Sequence, residues 1–333
     1  MNPQQDRCST VWRADDSPSA QRFPRLLSRA ALVFAVGIAA LQLPRVACAQ
    51  PQTLVIAIQP TSTPEQLSAQ ATELEQFLEA QLPGIDVRLK FPTSYAGAIE
   101  SLRFGHAQAA FMSAWPAVLA HQHAGADVVL AEVREVTVDE TTTEAPSYYS
   151  YWIVRKDSLV ANLRGLQGRK AAFPSQLSTS GYVAPLARLV ELGLVNRQDG
   201  PADPKQFFGE VVFAGGYAQA WEALKAGQVD VTVIAGDVPE ALYRKVLANT
   251  RVLEQQGPIP SHAVVFSKDL QDPLRMQLVN ALLQLNDPAH RGLMRKFVSG
   301  IFVRFAPATT EQHLGTLHRL LDLTGLEYTE TSR

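Results

Sequence analysis

Short β-branched or apolar runs alternate with segments of helical periodicity along most of this chain, and that alternation limits its fold more than any other feature. Residues 54–58 (LVIAI), 85–91, 109–112 and 128–133 read as strands. Between them Leu67, Leu74, Phe77 and Leu78, then Ile99 and Leu102, then residues 115–121 carry helical spacing. The aromatic run 148–155 (YYSYWIVR) opens a second series, with strands at 170–173, 211–213 and 229–234 and helices over 180–192 and 218–226. A strand at 263–266 follows, and the remainder reads as helix over 273–285, around Met294 and over 311–323. Such alternation predicts α/β architecture, with mixed, mainly parallel sheets flanked by helices. The polar stretch 137–146 and the Pro-rich stretch 257–260 mark two crossings between lobes. Lobe one is then 50–147 with 261–333, lobe two is 148–260, and a two-strand hinge joins them. Ligands of open α/β sheets sit at the carboxyl ends of strands, so the cleft between the lobes is the expected site.

Residues 1–49 stand outside that pattern. Five arginines from Arg7 to Arg29 precede the apolar run 30–43 (AALVFAVGIAALQL), and Ala47-Cys48-Ala49 follows. This is the order of a secretory signal peptide, cleaved before Gln50. Fourteen apolar residues are too few to span a bilayer, which takes about 20. Cys48 raises a lipoprotein anchor as an alternative, but Arg45 stands where that signal wants an aliphatic residue, and no Arg-Arg pair marks a twin-arginine leader. Cleavage removes six Arg, three Asp and both cysteines, taking the net charge from −2 to −5. The mature chain is expected to be a soluble, monomeric periplasmic protein that spans no membrane. It has no basic excess for nucleic acid. His121 and His123 lie two apart, with His106 upstream, and do not share a helix face, so no metal or cofactor is expected.

The segment 174–182 (PSQLSTSGY) follows a predicted strand and opens a predicted helix. Ser178, Thr179 and Ser180 can cap that helix, or can join its free N–H groups in an anion site that needs no Lys or Arg. Gly181 allows close backbone approach. Trp115, at the start of another helix, is expected to wall the cleft; Trp152 and Trp221 are expected in the core, and Asp203, Asp230 and Asp269 as caps.

These residues carry a resemblance. The run 163–170 (LRGLQGRK) with Ser158 and the STSG at 178–181 resembles the corresponding run of phosphonate-binding proteins of ABC importers. The segments 95–105 (YAGAIESLRFG), 148–158, 228–231 (QVDV), and 259–260 with 268–270 (KDL) are similar in the same order. The resemblance implies a type II periplasmic binding protein closing on phosphonate, phosphite or a related oxyanion, with an ABC permease as its partner. It implies hydroxyl donors at Tyr95, Tyr148, Ser178, Thr179 and Ser180. Asp237 stands where members that bind aminophosphonates place a Glu. Two positions depart: Tyr217 replaces a His that contacts phosphonate, and His262 replaces an Asp that helps hold a ligand amine. The expected ligand is therefore an anion without an amine, and charge on His262 would make its binding pH-dependent. A sensory protein presenting its anion to a membrane kinase is the alternative. An exported hydrolase is disfavoured, since the chain has no Gly-x-Ser-x-Gly.

Overall fold

The computed structural model describes residues 52–327 except 62–63, 139–140, 198–199 and 297; the leader and the Cys48 question lie outside the described residues. The strands are β1 (Gln52–Ile58), β2 (Ile85–Lys90), β3 (Ala109–Met112), β4 (Asp127–Val138), β5 (Thr141–Ala145), β6 (Ser147–Arg155), β7 (Lys170–Phe173), β8 (Glu210–Phe213), β9 (Thr232–Ala235), β10 (Thr250–Pro260), β11 (Ala263–Phe266) and β12 (Phe302–Pro307). The helices are α1 (Pro64–Gln81), α2 (Tyr95–Arg103), α3 (Ala114–Ala124), α4 (Ala184–Glu191), α5 (Tyr217–Lys225), α6 (Glu240–Asn249), α7 (Leu274–Leu283), α8 (Arg291–Arg295), α9 (Thr310–Leu314) and α10 (Leu317–Thr324). Among the described residues no helix is long and apolar enough to cross a membrane.

A seven-stranded sheet runs β12-β4-β11-β3-β1-β2, with β5 paired to β4. A three-stranded sheet runs β10-β6-β9, and β7 pairs with β8. Parallel pairing joins β1 to β2, β1 to β3 and β7 to β8; the other pairs are antiparallel. It is thus less widespread than helix–strand alternation suggests, because β11 and β4 enter the large sheet in opposition to their neighbours. One apolar cluster, with Leu74, Leu78, Phe111, Leu278 and Phe305, fills one face of the large sheet. A second includes Ala110, Met112 and Tyr95 and continues to Tyr148, Trp152, Phe173 and Trp221.

Several elements differ from the sequence expectation. The polar stretch 137–146 is a strand pairing, in which Thr141–Ala145 returns along Arg134–Val138. The Pro-rich stretch lies within β10, an edge strand whose pairing with β6 shifts register between Gln256 and Ile259. Proline is tolerated at such an edge because no ladder partner needs its missing N–H. Helix α6 and strand β12 occupy segments where the pattern predicts no helix and no strand. The helix expected from Ser180 begins with a π-helical turn, Thr179–Val183, before α4.

The chain passes from the large sheet to the three-stranded one between β5 and β6, and returns between β10 and β11. The two passages lie side by side: Pro260 is opposite Ser147, Ile259 is opposite Tyr148, and the Ser261 N–H donates to the Pro146 carbonyl at 3.1 Å. His313 on α9 braces the return, with Nε2 2.9 Å from the Ser261 carbonyl oxygen. Its burial disfavours the imidazolium and holds its pKa below the usual histidine value. The unfolded chain takes up that proton near pH 6.5 and the folded chain only at lower pH, so this contribution is complete above about 6.5 and is lost as pH falls below it. Between pH 7 and 5 the melting temperature of the wild type should fall more steeply than that of His313→Gln. Parallel slopes would show that His313 is not the group responsible.

Candidate functional site

Strand register sets the centre of the site. In the β6–β9 pairing Ser150 is opposite Ala235, so two residues further on Tyr148 reaches Asp237, just past the end of β9. Tyr148 Oη donates to Asp237 Oδ2 at 3.0 Å. On the other side of β6, β10 brings Ile259 opposite Tyr148, and His262 follows three residues later. His262 Nε2 lies 3.2 Å from the same Oδ2. Ser180, on the π-helical turn, donates to it at 2.7 Å. Since the one Ser180 proton is used there, the 2.6 Å contact with Tyr217 Oη has the tyrosine as donor.

Asp237 has no solvent exposure. Burial alone would drive its carboxyl toward the neutral form, but His262, Arg134 and Ser180 outweigh burial and hold its pKa below the ordinary aspartate value. Burial and the nearby Asp237 charge raise the phenols of Tyr148 and Tyr217 well above theirs. Both remain protonated, and each spends its one proton within the cluster, Tyr148 on Asp237 and Tyr217 on Ser180. Tyr95 opens α2, where Ser94 accepts the Gly97 N–H at 3.0 Å. Its phenol is buried, is raised by burial and by Asp237, and its hydroxyl has no well-formed hydrogen bond.

All eight residues singled out in the sequence are buried here, but the three hydroxyls do not line an open cleft. Ser178 Oγ accepts the Gly181 N–H at 3.0 Å. Thr179 Oγ1 accepts the Trp115 N–H at 2.7 Å, tying the start of α3 to the turn before α4. Gly181 is required by space: a Cβ would lie 2.2 Å from Pro174 Cγ and 2.6 Å from Ser178 Oγ. Gln176 and Leu177, just ahead of Ser178, wall two cavities of about 450 and 620 Å³. The first is also lined by Ser94, Tyr95, Pro174 and Phe213, the second by Trp115 and Tyr182. Helices α2, α3 and α5 and the turn before α4 thus begin around this region, each after the carboxyl end of a strand, where N–H dipoles favour negative charge.

The sequence reading missed four neighbours. Glu132 and Arg134 lie two apart on β4, share a face, and are wholly buried. Arg134 donates from Nε at 2.9 Å and from Nη2 at 2.7 Å to Glu132 Oε2, and its guanidinium lies 4.0 Å over the Tyr148 ring. The site therefore does include a buried cation, contrary to the expectation of an anion site without basic side chains. Gln59, after β1, accepts from Ser113 N–H at 2.8 Å and places Nε2 3.3 Å from His262 Nε2. Two charges at alternate positions within an apolar strand run, 128–136, were the signal for the ion pair.

The family described as "ABC transporter, phosphonate, periplasmic substrate-binding protein" matches residues 56–313. The chain belongs to this family. The phosphate-import protein PhnD of Mycolicibacterium smegmatis is 31% identical over 183 residues, 54% of this chain and 54% of that protein. The chain thus aligns with about half the length of that relative. In fold it is similar to a binding protein component of an ABC phosphonate transporter from Pseudomonas aeruginosa (TM-score 0.68, 19% identity, 82% of this chain and 87% of that one). It is also similar to PhnD1 from Prochlorococcus marinus in complex with methylphosphonate (TM-score 0.64, 16% identity, 83% of this chain and 100% of that one). The type II periplasmic binding fold expected of the phosphonate-binding family is the fold observed. The family consists of binding proteins, so the hydrolase alternative falls away.

Arg134 and Glu132 make the strongest energetic statement in this phosphonate-binding family member. Removing one partner of a buried ion pair leaves an uncompensated charge and costs about 3–5 kcal/mol. Arg134→Met should lower unfolding stability in urea by that amount, and adding Glu132→Leu should restore at least half. A loss below about 1 kcal/mol in the single variant would show that the pair carries no such burden.

Proposed function

We propose that this chain captures a small phosphorus oxyanion without an amine, a phosphonate, phosphite or relative, between its two halves and delivers it to an ABC permease. The observation that carries this reading is the convergence of Tyr95, Tyr148, Ser178, Thr179, Ser180, Tyr217, Asp237 and His262, drawn from both sheet systems, on one buried region. Tyr148 and Ser180 donate to Asp237, Tyr217 donates to Ser180, the Tyr95 hydroxyl lies beside this cluster, and the Trp115–Thr179 hydrogen bond links one half to the other. The ligand drives closure because contacts from both halves coexist only when they meet. His262 in place of a carboxylate supports the amine-free class. The second buried carboxylate nearby, Glu132, is already matched by Arg134.

Isothermal titration of the purified protein with methylphosphonate, phosphite, phosphate and 2-aminoethylphosphonate tests the ligand class. At least one amine-free anion should bind as tightly as 2-aminoethylphosphonate or tighter; a strong preference for the amine overturns the reading. Thr179→Val deletes the acceptor of the Trp115 N–H and should weaken binding by about 1–3 kcal/mol. Unchanged affinity would place the ligand elsewhere.

A further inference from the structure

Among the buried side-chain atoms of the site, the Tyr95 hydroxyl, Arg134 Nη1, Glu132 Oε1, His262 Nδ1 and Asp237 Oδ1 make no well-formed hydrogen bond. Glu132, Arg134 and His262 lie against one another, with His262 Nδ1 3.9 Å from Glu132 Oε1, which leaves the Tyr95 hydroxyl, beside Ser178, as a donor and Asp237 Oδ1 as an acceptor facing no opposite charge. The other Asp237 oxygen is saturated, taking Tyr148 at 3.0 Å, Ser180 at 2.7 Å and His262 at 3.2 Å. An ionised carboxylate only accepts, so whatever lies against Oδ1 must bring a hydrogen of its own. A ligand oxygen without a proton would satisfy Tyr95 but would set an acceptor against an acceptor, and a negative charge against a buried negative charge.

We infer that Asp237 selects the ligand by protonation state: the site takes oxyanions that still carry an acidic proton, such as the monoanion R–PO2(OH)⁻, and rejects fully ionised ones, sulfonates above all. The inference rests on the phosphorus-oxyanion reading above and narrows it. With no ammonium to supply the hydrogen, the P–OH group is the donor that Oδ1 lacks, while an unprotonated oxygen of the same phosphonate accepts from Tyr95. A sulfonate has the same size and shape and one negative charge, but no proton. A site built around a hydrogen bond discriminates strongly against an isostere that cannot make it, because its own buried group is then unpaired. The charged and titratable groups around Asp237 are His262 beside β11, Arg134 and Glu132 on β4, Tyr148 on β6, Tyr217 on α5, Tyr95 on α2 and Tyr243 on α6. Arg134 is already matched by Glu132, so it offers a dianion beside Asp237 no spare counter-charge.

The test is calorimetric titration of the wild type and Asp237→Asn with methylphosphonate and methanesulfonate over a range of pH. The wild type should prefer methylphosphonate by at least about 100-fold, since discrimination of this kind reaches 10⁴ or more. Its affinity should fall as pH rises through the second ionisation of methylphosphonate. In Asp237→Asn, whose amide offers both a donor and an acceptor, the preference should shrink to within about tenfold through a gain in sulfonate binding. Comparable wild-type affinity for the two ligands overturns the inference, and so does a preference that Asp237→Asn retains. The wild-type comparison and pH profile decide the matter even where the variant does not fold. If the wild type binds amine-free phosphorus oxyanions in the titrations above but fails to discriminate here, the inference alone fails. If it binds none of them, the functional reading fails and takes the inference with it.

Discussion

The site depends on one carboxylate with no access to water. Moving an isolated aspartate into the interior costs several kcal/mol even after relaxation, and hydrogen bonds to a charged group return about 1.5–3 kcal/mol each. No single donor offsets that cost, so Asp237 is kept ionised by His262, Arg134 and Ser180 acting together, with Tyr148 donating to the same oxygen. Tyr148, Ser180 and His262 come from a crossing strand, a helix start and the segment leading back into the large sheet. The charge therefore fixes the relative placement of elements far apart in sequence. Tyr217 and Arg134 support the arrangement from behind, the first by donating to Ser180 and the second by lying over the Tyr148 ring.

A second buried charge pair beside the first has a related logic. Glu132 and Arg134 neutralise one another on β4, and Glu132 also takes part in the crossing: its N–H donates to the His262 carbonyl at 3.0 Å, and its own carbonyl accepts from the Ser261 hydroxyl. The strand that bears the ion pair is thereby fastened to the return passage. His262 stands between the two carboxylates, with Nδ1 3.9 Å from Glu132 and Nε2 3.2 Å from Asp237. Polar groups buried this densely do little for net stability compared with apolar packing of the same volume, but each constrains the position of the next.

Much of this was legible in the sequence, where physical signals were local. The strands at 54–58, 109–112 and 148–155 declared themselves because buried strands are written in continuous apolar residues. The Ser-Thr-Ser-Gly run declared itself because a helix start needs caps and a close approach needs glycine. Strand β5 was hidden because it is a mostly exposed, Thr-rich strand with no apolar alternation, and β10 because its prolines are tolerated at an edge. Helix α6 has one fully buried apolar side chain, Val246, so its periodicity is weak. The partners of the site hydroxyls were out of reach for a different reason. Pairings such as Tyr148 with Asp237 and Thr179 with Trp115 span 89 and 64 residues and follow from sheet register, which no short motif encodes.

Tyr148 and His262 belong to the two passages that connect the large sheet with the three-stranded one, one on the outgoing strand and one just past the end of the returning strand. The crossings between the sheets and the groups around Asp237 are consequently the same piece of polypeptide. A change of geometry at the crossing would move two of the three groups that hold Asp237, so the buried charge and the path of the chain between the sheets are coupled. A substitution that alters the surroundings of this one carboxylate therefore also alters how the two sheets are held together.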